Sequence, residues 1–358
     1  MAIRTRLLYS SAALMISTGA HAADAIVVAE PEPMEYVRVC DAFGKGYFYI
    51  PGTETCLKIG GYVRFDSNYG ENPYSGKNNG WDAFTRGNIT FDARSDTEYG
   101  TLRSFIDLRS DANNITDTRT YLNGAYIEIA GFRAGYADSH YDTWLNSAGN
   151  IINDDVIDYT GDRTNQVSYV YGGDLGVSAL IGLEEGAGSY DTGFGPVPSA
   201  SYRGDDFPHI IGGLRYYKEA GMGIAFVGGY DTEAEAFGGK LRVDVKLNDT
   251  FGIFVMGGYQ SDWDNDKGPG GSRKRNYYGP WDGDWAVWGG VSAQVTDKAS
   301  LNAQAAYEED GTFAAALNVD YTVVEGLTFQ PEINYTEFDG LRGTGSAVGG
   351  TVRIQRNF

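Results

Sequence analysis

Residues 137–165 read ADSHYDTWLNSAGNIINDDVIDYTGDRTN and form the longest early stretch without a repeating hydrophobic pattern. Its aspartates are Asp138, Asp142, Asp154, Asp155, Asp158 and Asp162. A structureless insert of this length is uncommon inside a compact domain unless it is functional or packs onto other elements. Because alternating segments flank it on both sides, we predict a loop that folds into the lumen of a barrel.

The flanking chain alternates apolar and polar residues with the period of two that indicates half-buried strands. In the first segment, Ile59, Val63 and Phe65 share one face, whereas Lys58 and Arg64 fall on the other. Several segments end in aromatic residues, as in the interfacial girdles of membrane barrels. The pattern occurs in sixteen segments, at residues 57–66, 86–94, 102–109, 121–129, 132–136, 166–171, 177–183, 210–216, 224–230, 239–247, 251–259, 285–293, 301–307, 315–321, 327–335 and 348–358.

Connections between these segments also alternate in length. Tight turns are predicted at residues 130–131 and 248–249, and longer, mostly acidic connections at 67–84, 138–165 and 260–284. Short turns at one end and long loops at the other are typical of outer-membrane barrels, whose strands pair all round because lipid offers no hydrogen-bond partners. We therefore predict an all-β fold: a 16-stranded antiparallel transmembrane β-barrel with long extracellular loops and loop 3 folded into the lumen.

The first residues have the composition of an export signal. Arg4 and Arg6 precede an apolar run too short to span a bilayer, and a small-x-small cleavage site follows it. The predicted parts are a signal peptide at residues 1–22, cleaved between Ala22 and Ala23, an N-terminal segment with a disulfide loop at 23–55, and the barrel at 56–358.

Composition excludes some partners and ligands. Loss of Arg4 and Arg6 with the signal leaves 26 basic residues against 48 acidic ones, a formal charge of −22. Nucleic acid is therefore excluded, since phosphate binding needs a basic footprint.

Cys40 and Cys56 are the chain's two cysteines, and in an exported protein a structural disulfide is the ordinary interpretation. A reactive thiol or a metal pair is the alternative, but no histidine lies nearby. No cofactor is predicted.

Charge at the narrowest point, together with diameter, would decide what passes through such a barrel. The acidic loop would form one wall of this constriction, and the opposed charge would create a transverse field. With the net negative charge of the chain, we predict a weak cation preference. Each basic residue could instead be solvated or paired, and Asp154, Asp155 and Asp158 could bind a divalent cation. The basic wall would consist of Lys58, Arg64, Arg86, Arg94, Arg103, Arg109 and Arg133.

Two strings resemble a known family. Residues 36–66, YVRVCDAFGKGYFYIPGTETCLKIGGYVRFD, and residues 131–150, GFRAGYADSHYDTWLNSAGN, are similar to the alphaproteobacterial porin family. The resemblance covers the mature chain in strand order and implies a homotrimeric general diffusion porin of the outer membrane. Such barrels end in an aromatic residue read by the outer-membrane assembly machinery, a role that falls on Phe358. The basic run at residues 273–275 could contact lipopolysaccharide phosphates or be a solvated cluster.

Other functions remain open at this stage. A sugar-specific channel would share the architecture, because a fold alone does not settle function. A surface adhesin or receptor with a plugged barrel is a further alternative. A barrel enzyme would need a positioned base, for which only His140 and His209 remain after removal of the signal. Glycine pairs such as Gly212-Gly213 and Gly257-Gly258 lie within alternating runs, so they indicate bends in curved strands.

Overall fold

The structure is a computed structural model that describes residues 38–113, 118–172, 176–186, 189–191, 196–198, 207–218, 221–261, 263 and 273–358. The predicted signal peptide, its cleavage site and the start of the N-terminal segment lie outside these residues. No helix in the described ranges has the length and apolar character that crossing a membrane requires.

In the described part of the chain, sixteen long strands form one antiparallel sheet that closes on itself. The first strand pairs with the last, with Phe65 opposite Ile354, so the sheet formed by these described strands has no unpaired edge. The predicted barrel is therefore confirmed. The strands are β1 Cys56–Glu71, β2 Asn78–Thr97, β3 Gly100–Asn113, β4 Arg119–Ile129, β5 Phe132–Asp138, β6 Arg163–Gly172, β7 Val177–Glu184, β8 His209–Lys218, β9 Met222–Asp231, β10 Ala236–Lys246, β11 Phe251–Gln260, β12 Trp285–Thr296, β13 Ala299–Glu308, β14 Phe313–Val324, β15 Leu327–Phe338 and β16 Gly345–Asn357.

The outer face of the barrel carries the apolar members of each alternation. Val63, Ile181 and Val255 are all more than half exposed, as expected of side chains that meet lipid. Aromatic residues near the strand ends are also exposed on this face, which matches the girdles of membrane barrels. These are Tyr230, Tyr259, Trp285, Tyr307, Tyr321 and Tyr335, with Phe358 directly after the last strand.

The hairpin of β1 and β2 corrects one prediction. Residues 67–84 were expected to be a long connection, but the pairing continues until Glu71 faces Asn78. Polar cross-strand pairs support this extension: Asn68 Nδ2 donates to Asp82 Oδ1 at 2.6 Å, and Trp81 Nε1 donates to Ser67 Oγ at 2.8 Å. Outside the lipid, paired strands no longer need an apolar face. The outer part of this hairpin therefore shows no hydrophobic alternation in the sequence.

Where the structure describes them, the connections at one end are tight turns, as predicted. Ala130 and Gly131 join β4 to β5 with φ values of 50° and 88°, the left-handed pair that a two-residue hairpin turn requires. The opposite end carries the longer connections. Short strands at Ser189–Asp191, Pro196–Pro198 and Arg273–Lys274 join the loop after β7 to the loop after β11 in a small separate sheet.

The segment before β1 folds back onto the barrel at the tight-turn end. A disulfide joins Cys40 to Cys56, with their Cα atoms 6.0 Å apart, so the predicted bridge is confirmed. Both cysteines are buried together with Tyr47. The two-residue strand Phe48–Tyr49 pairs with the start of β1, which places the closed loop directly beside the barrel wall.

Candidate functional site

Loop 3, defined here as residues 139–162, leaves β5 and folds into the barrel. It begins with a single helical turn, α1 His140–Thr143, capped by Ser139, whose Oγ accepts a hydrogen bond from the Tyr141 amide at 3.0 Å. Its apolar side chains share one buried cluster with inward residues of the later strands. Those of the loop are Tyr141, Trp144, Leu145, Ala148, Val156, Ile157 and Tyr159.

The inner face of the wall that receives loop 3 carries buried apolar side chains among its polar ones. Each large side chain buried there contributes about 1.5–3 kcal/mol. Strands β8 to β13 therefore carry a docking surface for the loop, whereas β1 to β5 do not. The buried inward residues are Ile211 on β8, Ala225 and Val227 on β9, Phe254 and Met256 on β11, Ala286 and Trp288 on β12, and Ala306 on β13.

Inward glycines on this wall make room for aromatic rings. A Cβ at Gly213 would lie 2.5 Å from Nε1 of Trp144 in loop 3, and a Cβ at Gly258 would lie 2.5 Å from the ring of Trp281. Both positions belong to glycine pairs that the sequence indicated as strand bends. Close approach of a ring is a second reason for glycine there.

Side chains of the wall satisfy the carbonyl groups of loop 3. A buried loop would otherwise leave backbone acceptors without partners, which costs free energy. Each of these donors projects from a strand or from another loop, so the path of loop 3 is fixed at many points. The donors are Arg242 Nη1 to Ser147 O at 2.8 Å, Gln304 Nε2 to Asp154 O at 2.9 Å, Arg342 Nη1 to Val156 O at 3.0 Å, Trp288 Nε1 to Ile157 O at 2.9 Å and Tyr277 OH to Asp162 O at 2.6 Å.

Glu184 holds the start of loop 3. This carboxylate at the end of β7 is 1% exposed and accepts hydrogen bonds from Ser139 Oγ at 2.7 Å and from the His140 amide at 3.0 Å. Tyr278 OH donates to it at 3.0 Å. Burial of His140 lowers the pKa of its imidazole to about 4, and its Nε2 lies 2.8 Å from Ser168 Oγ.

Glu332 on β15 holds the tip of loop 3. Its carboxylate accepts from the amides of Ile152 and Asn153 at 2.5 and 3.0 Å, and from the Asn153 side chain at 2.8 Å. Asn318 on β14 donates to the same carboxylate at 2.9 Å and to Asn150 O at 2.7 Å. Sequence analysis identified neither Glu184 nor Glu332. The available signal was an acidic residue at an inward position of a strand, where it can face a buried loop.

The six predicted aspartates occupy different surroundings. Asp138 ends β5 and forms an ion pair with Arg163 at 3.4 Å. Asp154 accepts from Tyr159 OH, Asp155 from Tyr74 OH at 2.5 Å, and Asp158 from Thr160 Oγ1 at 2.8 Å. Asp142 lies in α1 and Asp162 is exposed at the end of the loop. Within the described ranges, no group of three or more His, Cys, Asp or Glu side chains could hold a metal ion.

Burial changes the titration of several loop 3 carboxylates. Burial, reinforced by the charge of Asp155, raises the pKa of Asp154 to about 7, against the opposing hydrogen bond from Tyr159. Burial likewise raises the pKa of Asp142 to about 6, although the ammonium of Lys240 opposes the shift. The pKa of Asp158 is also raised by burial. These carboxylates therefore protonate closer to neutral pH than ordinary aspartates, whose pKa is about 3.9.

The seven predicted basic residues project inward from β1 to β5, the wall that loop 3 leaves uncovered. Five of them are paired with carboxylates on the same wall, so the surface is a mixed ladder rather than a purely basic one. Among the described residues, Lys58 and Arg64 have no carboxylate within 4.0 Å. The pairs are Arg86–Asp111 at 2.7 Å, Arg94–Asp92 at 2.9 Å, Arg103–Glu128 at 2.7 Å, Arg133–Glu128 at 2.6 Å and Arg109–Asp107 at 3.8 Å.

Two further ion pairs extend this ladder and were not predicted. Arg353 on β16 binds Asp66 on β1 through two hydrogen bonds of 2.8 Å, and Arg163 on β6 faces Asp138. Arg353 lies beside β1 only because the barrel closes by pairing β16 with β1. Since loop 3 covers the β8 to β13 side, the open passage runs between the loop and this ladder.

Comparison with known proteins agrees with the barrel. A family model described as "Porin subfamily" matches residues 24–353. Porin Omp2b of Brucella suis biovar 1 (strain 1330) is 44% identical over 100% of both chains, and Porin Omp2b of Brucella neotomae is 43% identical over the same extent.

Solved structures show the same fold at low identity. The outer membrane channel DcaP of Acinetobacter baumannii aligns with a TM-score of 0.63 and 17% identity, covering 87% of this chain and 99% of that one. A mutant of Rh. blastica porin aligns with a TM-score of 0.58 and 13% identity, covering 84% of this chain and 100% of that one. The family match and the identity to the Brucella porins show that the chain belongs to the porin family, and it is an outer-membrane channel for passive diffusion rather than an enzyme.

Proposed function

We propose that this channel is a general diffusion pore for ions and small hydrophilic solutes with a weak preference for cations. The observation that carries the proposal is the imbalance of unpaired charge between the two walls. Among the described residues, five aspartates of loop 3 have no cationic group within 4.0 Å. Of the seven predicted basic residues on β1 to β5, only Lys58 and Arg64 have no carboxylate of a described residue within 4.0 Å. The five are Asp142, Asp154, Asp155, Asp158 and Asp162.

Opposed charge across the passage would also orient dipolar solutes. A field of this kind decays over roughly 8 Å at physiological salt, so it acts only where the passage is narrow. The six predicted aspartates and the seven predicted basic residues are our candidates for the constriction. Pairing within the ladder weakens its positive potential, which favours a mild cation preference over a strong one.

Cation preference should fall as the pH is lowered from 8 to 5. The pKa values of Asp154 and Asp142 are raised to about 7 and about 6, so both lose negative charge across this interval. The measurement is the reversal potential of the purified protein in a planar bilayer under a KCl gradient. In Asp154→Asn, the part of the change near pH 7 should disappear. A preference that stays constant to pH 5, and falls only near the ordinary aspartate pKa of about 3.9, would contradict the proposal.

We also propose that the channel is a homotrimer, as family membership suggests. The outer face of β2 to β4 supports this assignment because it carries small hydroxyl groups between apolar neighbours. Thr85, Ser104 and Thr120 are exposed there, and Ser110 Oγ lies 3.0 Å from Thr120 Oγ1. Lipid gives such groups no partner, whereas a second copy can cover them. The outer positions of β7 to β11 are large and apolar instead.

A sugar-specific channel is the second candidate, and the inward rings are the feature that bears on it. Tyr126 and Phe105 point into the lumen, but guanidinium groups already cover them. Arg133 lies 4.4 Å from the centre of the Tyr126 ring, and Arg103 lies 4.9 Å from that of Phe105. Covered rings offer little surface to a sugar, so general diffusion is preferred. Saturable block by one sugar alone would reverse this choice.

The remaining partners are also proposals. Phe358 is 62% exposed on the outer face, and its backbone is bound to Gly61 by hydrogen bonds of 3.0 and 3.2 Å, so the ring is accessible for recognition by the assembly machinery. Contact with lipopolysaccharide stays a prediction. Arg275 of the basic run is paired with Asp282 at 2.7 Å, which leaves it less available for a phosphate. The signal peptide at residues 1–22 likewise stays a prediction.

A further inference from the structure

A cavity of about 700 Å³ lies below loop 3, toward the tight-turn end of the barrel. Its lining comes from two parts of the molecule. Strands β3 to β5 and their turn at Ala130–Gly131 form one side, and Trp144 of loop 3 with Arg215 of β8 forms the other. Short turns face the periplasm in outer-membrane barrels, so this cavity belongs to the inner half of the channel.

Arg215 differs from the other arginines of this cavity. Its guanidinium carbon lies 4.3 Å from the centre of the Trp144 ring. Among the residues that the structure describes, no carboxylate lies within 4.0 Å of it. Arg103 and Arg133 across the cavity are instead committed to Glu128, at 2.7 and 2.6 Å. Arg215 therefore presents an oriented guanidinium whose hydrogen-bonding edge is not occupied by an acidic side chain.

We propose that this cavity is a subsite for organic carboxylates and that Arg215 is its recognition residue. A guanidinium binds a carboxylate through two parallel hydrogen bonds, and stacking on an aromatic ring fixes the plane in which it does so. The cavity volume suits a small organic molecule. Trp144 and Val170 supply apolar parts of the lining.

The location gives the subsite a role in transport. A carboxylate that has passed the acidic loop would pause at Arg215 before it leaves the channel. The inference rests on the proposed diffusion function, because the subsite lies in the same passage. It goes beyond that function in assigning a class of solute to one residue of β8, outside the arginine ladder.

Benzoate is a suitable probe, with benzyl alcohol as the uncharged comparison. Calorimetry on the detergent-solubilised protein should detect benzoate binding and no binding of benzyl alcohol. Arg215→Gln should weaken benzoate affinity by about tenfold or more, because it removes a charged pair of hydrogen bonds. Arg215→Lys keeps the charge but loses the planar fork, so we expect a smaller loss. In a bilayer, benzoate should reduce the current of the wild-type channel and not that of Arg215→Gln.

Arg64→Gln is the matched control. Arg64 is also inward-facing without a carboxylate within 4.0 Å among the described residues, but it lies outside the cavity lining. An equal loss of benzoate affinity in Arg64→Gln and Arg215→Gln would overturn the subsite and indicate general pore charge instead. Equal binding of benzyl alcohol, or no benzoate binding by an open channel, would also overturn it. Benzoate binding to a protein that conducts no ions would support the subsite and contradict only the diffusion function.

Discussion

Replacing Glu332 with alanine should turn a steady channel into one that flickers and closes at lower voltage. This carboxylate is the acceptor for two backbone amides at the tip of loop 3, from Ile152 and Asn153. Each hydrogen bond to a charged group contributes about 1.5–3 kcal/mol. Loss of both leaves the tip of the loop without its anchor on β15, and Asn318 loses one of its acceptors as well. The free loop would then sample positions that obstruct the passage.

The experiment compares current noise and closing voltage of single channels in planar bilayers. Glu332→Gln retains one carbonyl acceptor, so its effect should fall between the wild type and Glu332→Ala. Glu337→Ala is the matched control, because it removes the same charge from the outer face of the same strand. If Glu332→Ala folds into a barrel and is as quiet as Glu337→Ala, then Glu332 does not restrain loop 3.

The double substitution Thr85→Trp and Ser104→Trp should separate the proposed trimer into monomers. Both positions lie on the small, hydroxyl-bearing outer face of β2 and β3, where the proposed contact between copies would leave no room for an indole. Overpacking typically costs about 1–3 kcal/mol at each site, and a trimer repeats the cost at every interface. Size-exclusion chromatography with light scattering in mild detergent measures the mass directly.

Val255→Trp provides the comparison for this result. Val255 is 63% exposed on the outer face of β11, away from the proposed contact, so tryptophan there should leave the mass unchanged. A trimer that survives the Thr85 and Ser104 substitutions but is lost in Val255→Trp would place the contact on the opposite side. A monomeric wild type would contradict the trimer altogether.

The barrel was predictable because period-two alternation is a local property of the chain. The number of strands, the tight turns and the inserted loop all follow from it, and the bridge between Cys40 and Cys56 follows from cysteine count and export. The β1–β2 hairpin was not predictable in this way. Its outer part is held by polar pairs such as Asn68–Asp82, which leave no hydrophobic signature.

The candidate site was predictable only in part. The acidic loop and the inward arginines are visible in the sequence, but their partners depend on which positions meet across the barrel. Glu332 and loop 3 are about 180 residues apart, and Arg353 reaches Asp66 only through closure of the sheet. One usable signal was the set of small and apolar inward residues on β9, β11 and β12, such as Val227, Met256 and Ala286. It indicates the wall against which a loop can pack.

Single-channel conductance of the wild-type protein across a range of KCl concentrations tests the diffusion channel most directly. A water-filled passage narrowed by a fixed loop should conduct in large, steady steps grouped in threes, with a conductance that rises in proportion to the conductivity of the bulk salt. No conductance would contradict an open channel, and a conductance that saturates at low salt would contradict free diffusion through it.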